Sequence, residues 1–222
     1  MSEWWTYRLQ DFLMFEPRTY YRLFERVNQE LWPAPLVLAA AGLALAGLAW
    51  GRGPRAGRLV PWLLAGCWLW VAWAFHLRRY AEINLAAPWF AAGFALEALL
   101  LLAVAAGWLG RQERVAARDP VGLVLAAVGV GVWPLVAPLR GRGWEATEWF
   151  GLAPDPTAVA TLGLVLAVRL PRPLLVIPVL WCGVSGLTLH AMEVPEWWLP
   201  PLLALLAVGG AARGSRPAGG RP

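Results

Sequence analysis

Uncharged apolar runs alternate with short charged segments along the whole chain. Crossing ~30 Å of hydrocarbon takes about 20 helical residues, and five runs come near that length: 32–50, 59–77, 86–109, 121–139 and 173–190. A sixth run, 197–212, is shorter, yet it is uncharged and opens on Trp197 and Trp198, as an interfacial anchor does. A seventh, 157–170, would reach only about 21 Å as a helix. It follows the segment WFGLAPDP, whose prolines and glycine forbid a regular helix, and Asp155 is placed to cap a helix starting at Pro156 or Thr157. Ahead of the first run, Tyr20, Phe24, Val27 and Leu31 fall at helical spacing while Arg18, Arg22, Glu25, Arg26 and Glu30 take the other faces. That pattern predicts a helix lying on a bilayer or on the bundle, with Thr19 as its cap. The start of the chain lacks a basic region followed by an apolar core, so no cleavable signal is expected. The end, ARGSRPAGGRP, reads as a disordered tail.

The fold class predicted is an all-α integral membrane protein, a bundle of about seven transmembrane helices with an amphipathic N-terminal interfacial helix. Six helices is the alternative. The expected organisation is an amphipathic segment over 1–31, the bundle over 32–212 and the tail over 213–222.

Composition sharpens this reading. Of 222 residues, 59% are hydrophobic and 15% charged, against roughly 45–50% and about 25% in soluble domains. Sixteen tryptophans suit a protein with many membrane–water crossings, because the indole ring favours the headgroup layer. All 19 basic residues are arginine, which excludes lysine Schiff-base chemistry. Two cysteines are too few for a disulfide scaffold. With seven crossings and the N-terminus outside, eleven arginines lie inside and eight outside. With six and the N-terminus inside, the split is thirteen to six, but two short arginine loops, GRGPRAGR and GRQERVAARD, then face outward, against the tendency of such loops to stay cytoplasmic. The seven-crossing arrangement is preferred. It gives the inner face +9 and the outer face −3. The basic balance therefore describes a cytoplasmic rim against anionic lipid rather than a nucleic-acid groove.

Three features could carry chemistry. Glu97 lies nine residues beyond Pro88, about 14 Å into the bilayer, where an ionised carboxylate costs several kcal/mol unless paired, hydrated or protonated. Its own-helix neighbours Phe90, Gly93, Leu101 and Val104 offer no partner, so one must come from Thr161, Ser185, Thr188, His76 or His190. It is either a proton- or cation-coupled site or a hydrogen-bonded packing device. His76 and His190 are the only histidines, and each closes a span that runs outward. At equal outer depth they could share a metal ion or a haem, or form the titratable part of a ligand pocket with Arg79, Tyr80, Glu82 and Asn84, beside Arg78 and Glu193. Each could equally be an interfacial histidine and nothing more. The loop 140–156 holds Glu145 and Glu148 one turn apart, and the short helix after it could aim its N-terminus at an anion. Cys67 and Cys182 fit packing roles, and Gly183, Ser185 and Gly186 look like close-approach positions.

The segments YRLQDFLMFEPRTYYRLFERVNQELWP, WLWVAWAFHLRRYAEINLAAPWFAAGFALEALLL, FGLAPDPTAVATLGLVLA and PVLWCGVSGLTLHAM resemble a family of bacterial inner-membrane proteins known as a domain of unknown function, some of whose members carry a permease-like label. The resemblance implies a multi-pass protein of the bacterial cytoplasmic membrane and brings no functional residues with it. The expected function is binding or translocation of a small polar solute or proton-coupled ligand through an outer-face pocket above Glu97. The alternatives are a non-catalytic subunit of a larger membrane complex, or a haem or metal carrier. No phosphate-loop, dinucleotide, nucleophile-elbow or zinc-protease motif supports an enzyme. The partners expected are the lipid bilayer and either further copies of the chain or other membrane subunits, with no nucleic acid. A subunit would bury Trp68, Trp70, Trp73, Trp133 and Trp181 against its partner.

Overall fold

The computed structural model describes residues 15–51, 56–109 and 119–213. The arginine loops around 52–55 and 110–118, residues 1–14 and most of the expected tail, 214–222, lie outside the described residues. The described residues form helices and turns and no strands.

Each apolar run carries a helix. After α1 (Pro17–Glu30) come α2 (Ala34–Trp50) and α3 (Ala56–Trp70), the last continuing as a π-helical stretch, Val71–Leu77. Helix α4 is Ala87–Ala105; α5, Pro120–Ala127, runs through a second π stretch and a tight turn into α6, Val136–Leu139. Then follow α7 (Pro154–Val168), α8 (Val176–Ala191) and α9 (Leu199–Arg213). Four helical segments are long and apolar enough to cross a membrane: Ala56–Glu82, Ala87–Ala105, Pro120–Leu139 and Arg172–Ala191. The pair α1 and α2, bent by 93°, makes a fifth if it counts as one span, and α7 and α9 are shorter apolar helices. Large apolar side chains such as Trp62, Trp89, Leu99, Leu180 and Leu205 are exposed around the bundle, a distribution suited to lipid rather than water.

The short helix is the centre. Every residue of α7 is buried, which fits a helix apolar on all sides. Glycines let α5 lie against it at backbone distance: a Cβ at Gly163 would run into the Ala126 backbone nitrogen, and one at Gly122 would meet the Ala167 nitrogen at 2.5 Å. Of the close-approach positions expected on α8, Gly186 faces Pro201, at 2.8 Å for an added Cβ, and Ser185 faces α7, whereas Gly183 meets open space.

Helix α1 caps one end of the bundle. Its amphipathic face, with Tyr20, Tyr21, Leu23, Phe24, Val27 and Asn28, is buried within the chain, and Phe24 stacks on Phe75 at 5.1 Å. Thr19 is not its cap: the helix starts at Pro17 with Glu16 at the N-cap position, so the threonine already lies in the first turn. Asn28 donates to the carbonyls of Glu145 (2.7 Å) and Thr147 (2.8 Å). Arg79 pairs with Glu30, and Arg26 reaches Glu82 at 4.0 Å. Arg142 meets Glu196 at 2.7 Å. These contacts gather α1, the turn after α3, the segment before α7 and the segment before α9 at the same end.

Candidate functional site

The strongest concentration of buried charge lies at that end, where α7 begins. Asp155 was expected to cap α7, but the helix starts one residue earlier, at Pro154, and Asp155 makes no cap. Its carboxylate turns to α8 instead, accepting from the Trp181 indole N–H (2.7 Å) and the Ser185 hydroxyl (2.6 Å). The loop at the start of the helix is tied down by Thr157, whose hydroxyl donates to the Ala153 carbonyl (2.6 Å) and accepts from the Gly151 N–H (2.9 Å). With Asp155 in the first turn, the positive end of the helix dipole already faces a carboxylate of the chain itself. A further anion would be repelled.

Around Asp155 stand Glu148, Glu196, Arg142 and Tyr21, enclosing a space of about 10 Å3, room for a single water. Arg142 lies over the Tyr21 ring at 3.9 Å and against Glu196, which Arg140 also meets at 3.2 Å. Glu148 accepts a long hydrogen bond from the Trp133 indole, 3.4 Å. The stem of Glu148 keeps some exposure while Glu145, its expected face-mate, is exposed. Burial first, then the Asp155 carboxylate, push the Glu148 carboxyl up to about 8, with Arg142 and the Trp133 bond pulling the other way. Three carboxylates against two guanidiniums leave one negative charge in excess, and a proton on Glu148 removes it.

The residues singled out in the sequence occupy the neighbouring levels. His76 is fully buried, with Phe94 at 4.5 Å and Trp181 at 5.0 Å between ring centroids, and neither ring nitrogen has a hydrogen-bond partner. Tyr80 is buried against Tyr20, Phe75 and Phe90. Arg79, besides its pair with Glu30, donates to the Ala74 carbonyl at 2.6 Å. Asn84 accepts from the Ala86 N–H (2.8 Å), and with Glu82 it lines an open groove against Glu16 and Thr19. His190 is exposed and lies against Trp197 at 4.8 Å. Among the described residues, no group of three or more His, Cys, Asp and Glu side chains is placed to hold a metal ion.

Glu97 is fully buried on α4, and neither carboxylate oxygen has a hydrogen-bond partner. Of its candidate partners, Thr161 accepts from Trp68 (2.8 Å) and donates to Thr157, Ser185 serves Asp155, Thr188 donates to the Val184 carbonyl, and His76, though without a hydrogen bond of its own, makes none to Glu97. Trp181, which donates to Asp155, also packs in an aromatic layer with His76, Phe90 and Phe94, the last about one turn before Glu97 on α4.

Sequence reasoning missed Arg142, Glu196 and Tyr21 as site residues, and nothing in their local sequence marks them. Trp181 and Trp133 were noticed only as possible docking surfaces. Together with Trp68 they are buried inside the chain and donate to its own polar groups, whereas Trp70 and Trp73 are exposed and touch each other at 5.5 Å. Neither the curated proteins nor the solved structures contain a match to this chain. The model of a family of unknown function, DUF6064, matches residues 18–215, and the chain belongs to that family.

Proposed function

We propose that this chain is a proton-coupled protein of the bacterial cytoplasmic membrane, crossing it seven times with the N-terminus outside and the C-terminus in the cytoplasm. The pairing of Arg142 with Glu196 supports the odd number of crossings, because α7 must then run the length of the bundle between the loop before it and α8. The cluster of Glu148, Asp155 and Glu196 faces the outer side and exchanges protons with water there. Glu97 is the second proton-holding group, about 15 Å along α4 from its start at Ala87. His76, the titratable member of the aromatic layer, packs against Phe94 and Trp181, while Arg79, Tyr80, Glu82, Asn84 and His190 shape the outer surface.

The observation that carries this reading is the Glu97 carboxyl, buried among apolar helices with no hydrogen bond to either oxygen. A charge left there costs several kcal/mol, and an ionisable group retained at such depth marks a proton or ion route. Infrared spectroscopy of the protein in lipid nanodiscs tests it. A protonated-carboxyl band at neutral pH that loses intensity in Glu97→Gln, beyond what Glu148→Gln removes, supports the proposal; a band unchanged by Glu97→Gln contradicts it.

A further inference from the structure

We infer that the corner between α1 and α2 holds a phospholipid with an ammonium headgroup, of the phosphatidylethanolamine class. The inference rests on the membrane reading above and adds a ligand site to it. An open groove of about 710 Å3 occupies this corner, closed on its other side by residues 144–149. Its lining changes character along its length. On the α1 side it offers the Gln29 amide, beside Asn28 whose N–H groups are given to the Glu145 and Thr147 carbonyls, and on the α2 side Pro35 and Leu36, with Trp32, Trp144 and Trp149 completing the lining. That is the profile of one lipid molecule: polar groups for the headgroup, indoles at the ester level, and an apolar track that the exposed Leu36, Val37 and Leu43 continue along α2.

Charge selects the headgroup. Glu145 is the one ionisable side chain among the lining residues, and it is exposed. Arg26 and Arg142, the arginines nearest in sequence to the lining residues, face Glu82 and Glu196 instead. An anionic headgroup therefore meets no counter-charge in the groove and one repelling carboxylate. An ammonium group meets that carboxylate and the indole faces, which attract cations, while indole N–H groups and the Gln29 amide can donate to phosphate and ester oxygens.

The test is lipid retention. Protein is reconstituted in nanodiscs of equal phosphatidylethanolamine and phosphatidylglycerol, and the lipid that stays bound after release is identified by native mass spectrometry. The expected result is an enrichment of phosphatidylethanolamine of about threefold to tenfold, the size of an exposed cation–aromatic contact with a carboxylate beside it. It should fall toward parity in Glu145→Gln, the indole faces holding what preference remains, and Trp144→Ala should lower retention of both lipids. Soluble ethanolamine phosphate should not compete. Equal retention by the wild-type protein, or enrichment unchanged in both variants, overturns the inference, and displacement by ethanolamine phosphate would make the groove a small-solute site instead. A protein stripped from membranes by carbonate washing would defeat the membrane reading itself; an integral protein without the preference would defeat only this inference. Unfolding midpoints of both variants close to wild type establish that they fold.

Discussion

Replacing Glu148 by glutamine should make the protein less sensitive to alkali. In the unfolded chain a glutamate ionises near 4.3; in the folded protein, burial beside Asp155 moves Glu148 to about 8. Between those two values the folded form holds a proton that the unfolded form has lost. Stability therefore falls as pH rises through this window, by up to about 1.4 kcal/mol per unit for one proton, and levels off above the folded value. Glutamine keeps the shape and can still accept the Trp133 N–H, but it carries no titrating proton. Thermal unfolding in detergent micelles, followed from pH 5 to 8.5, should give a wild-type midpoint that declines with pH and a Glu148→Gln midpoint that declines less. The two should converge near pH 5, with the variant more stable at pH 8. Glu145→Gln, at an exposed position, should track the wild type. Parallel curves for Glu148→Gln and wild type would refute the reasoning, because they would mean that Glu148 titrates alike in both states.

Three other outcomes follow from the contacts. Trp181→Phe keeps most of the ring volume but leaves Asp155 with one partner fewer, so it should cost about 1–3 kcal/mol of stability, read from denaturant or thermal unfolding; no loss would mean that the Trp181–Asp155 bond contributes nothing. Gly163→Ala should prevent α5 and α7 from closing and sharply reduce the yield of folded protein in a detergent-stability assay, whereas Gly183→Ala, which meets open space, should be tolerated; equal behaviour of the two would contradict the packing. Asn28→Ala removes two hydrogen bonds to the loop before α7 and should raise hydrogen exchange in α1 and residues 144–148 before any other part; unchanged exchange there would show that α1 is held without Asn28.

Much of the architecture was legible because each apolar run has the length of one helix. The apolar runs map onto the helices of the fold to within a few residues, including the short one, whose central position was not read from the sequence. Periodicity also marked the buried face of α1, since Tyr20, Phe24 and Val27 recur at helical spacing. It could not say whether that face met lipid or protein, because both select the same residues.

The site was less legible, for reasons that are physical. Asp155 sits in a sequence that suits a cap, but a start at Pro154 rotates its carboxylate toward Trp181 and Ser185, a choice made by α8 thirty residues later. Arg142 and Glu196 pair across two helices, and no local pattern connects them. His76 and His190 were matched by depth along their spans, yet depth leaves rotation about the helix axis undetermined. The π-helical stretch Val71–Leu77 also inserts extra residues into the turn and changes the direction of His76 relative to any count made at 3.6 residues per turn. For Glu97 the sequence showed the lack of polar neighbours on its own helix and pointed to a partner on another helix; the fold supplies no hydrogen bond to either oxygen, because contacts between helices are not written in either helix alone.

The proposed crossing of α7 is the point on which the proposed outer placement of the carboxylate cluster depends, and single-cysteine labelling tests it most directly. Arg140 and Arg172 flank that helix, and both are exposed. With a membrane-impermeant maleimide on intact cells, Arg140→Cys should label at once and Arg172→Cys only after permeabilisation, against the background of Cys67 and Cys182 alone. Labelling of both positions from the same side would contradict the account.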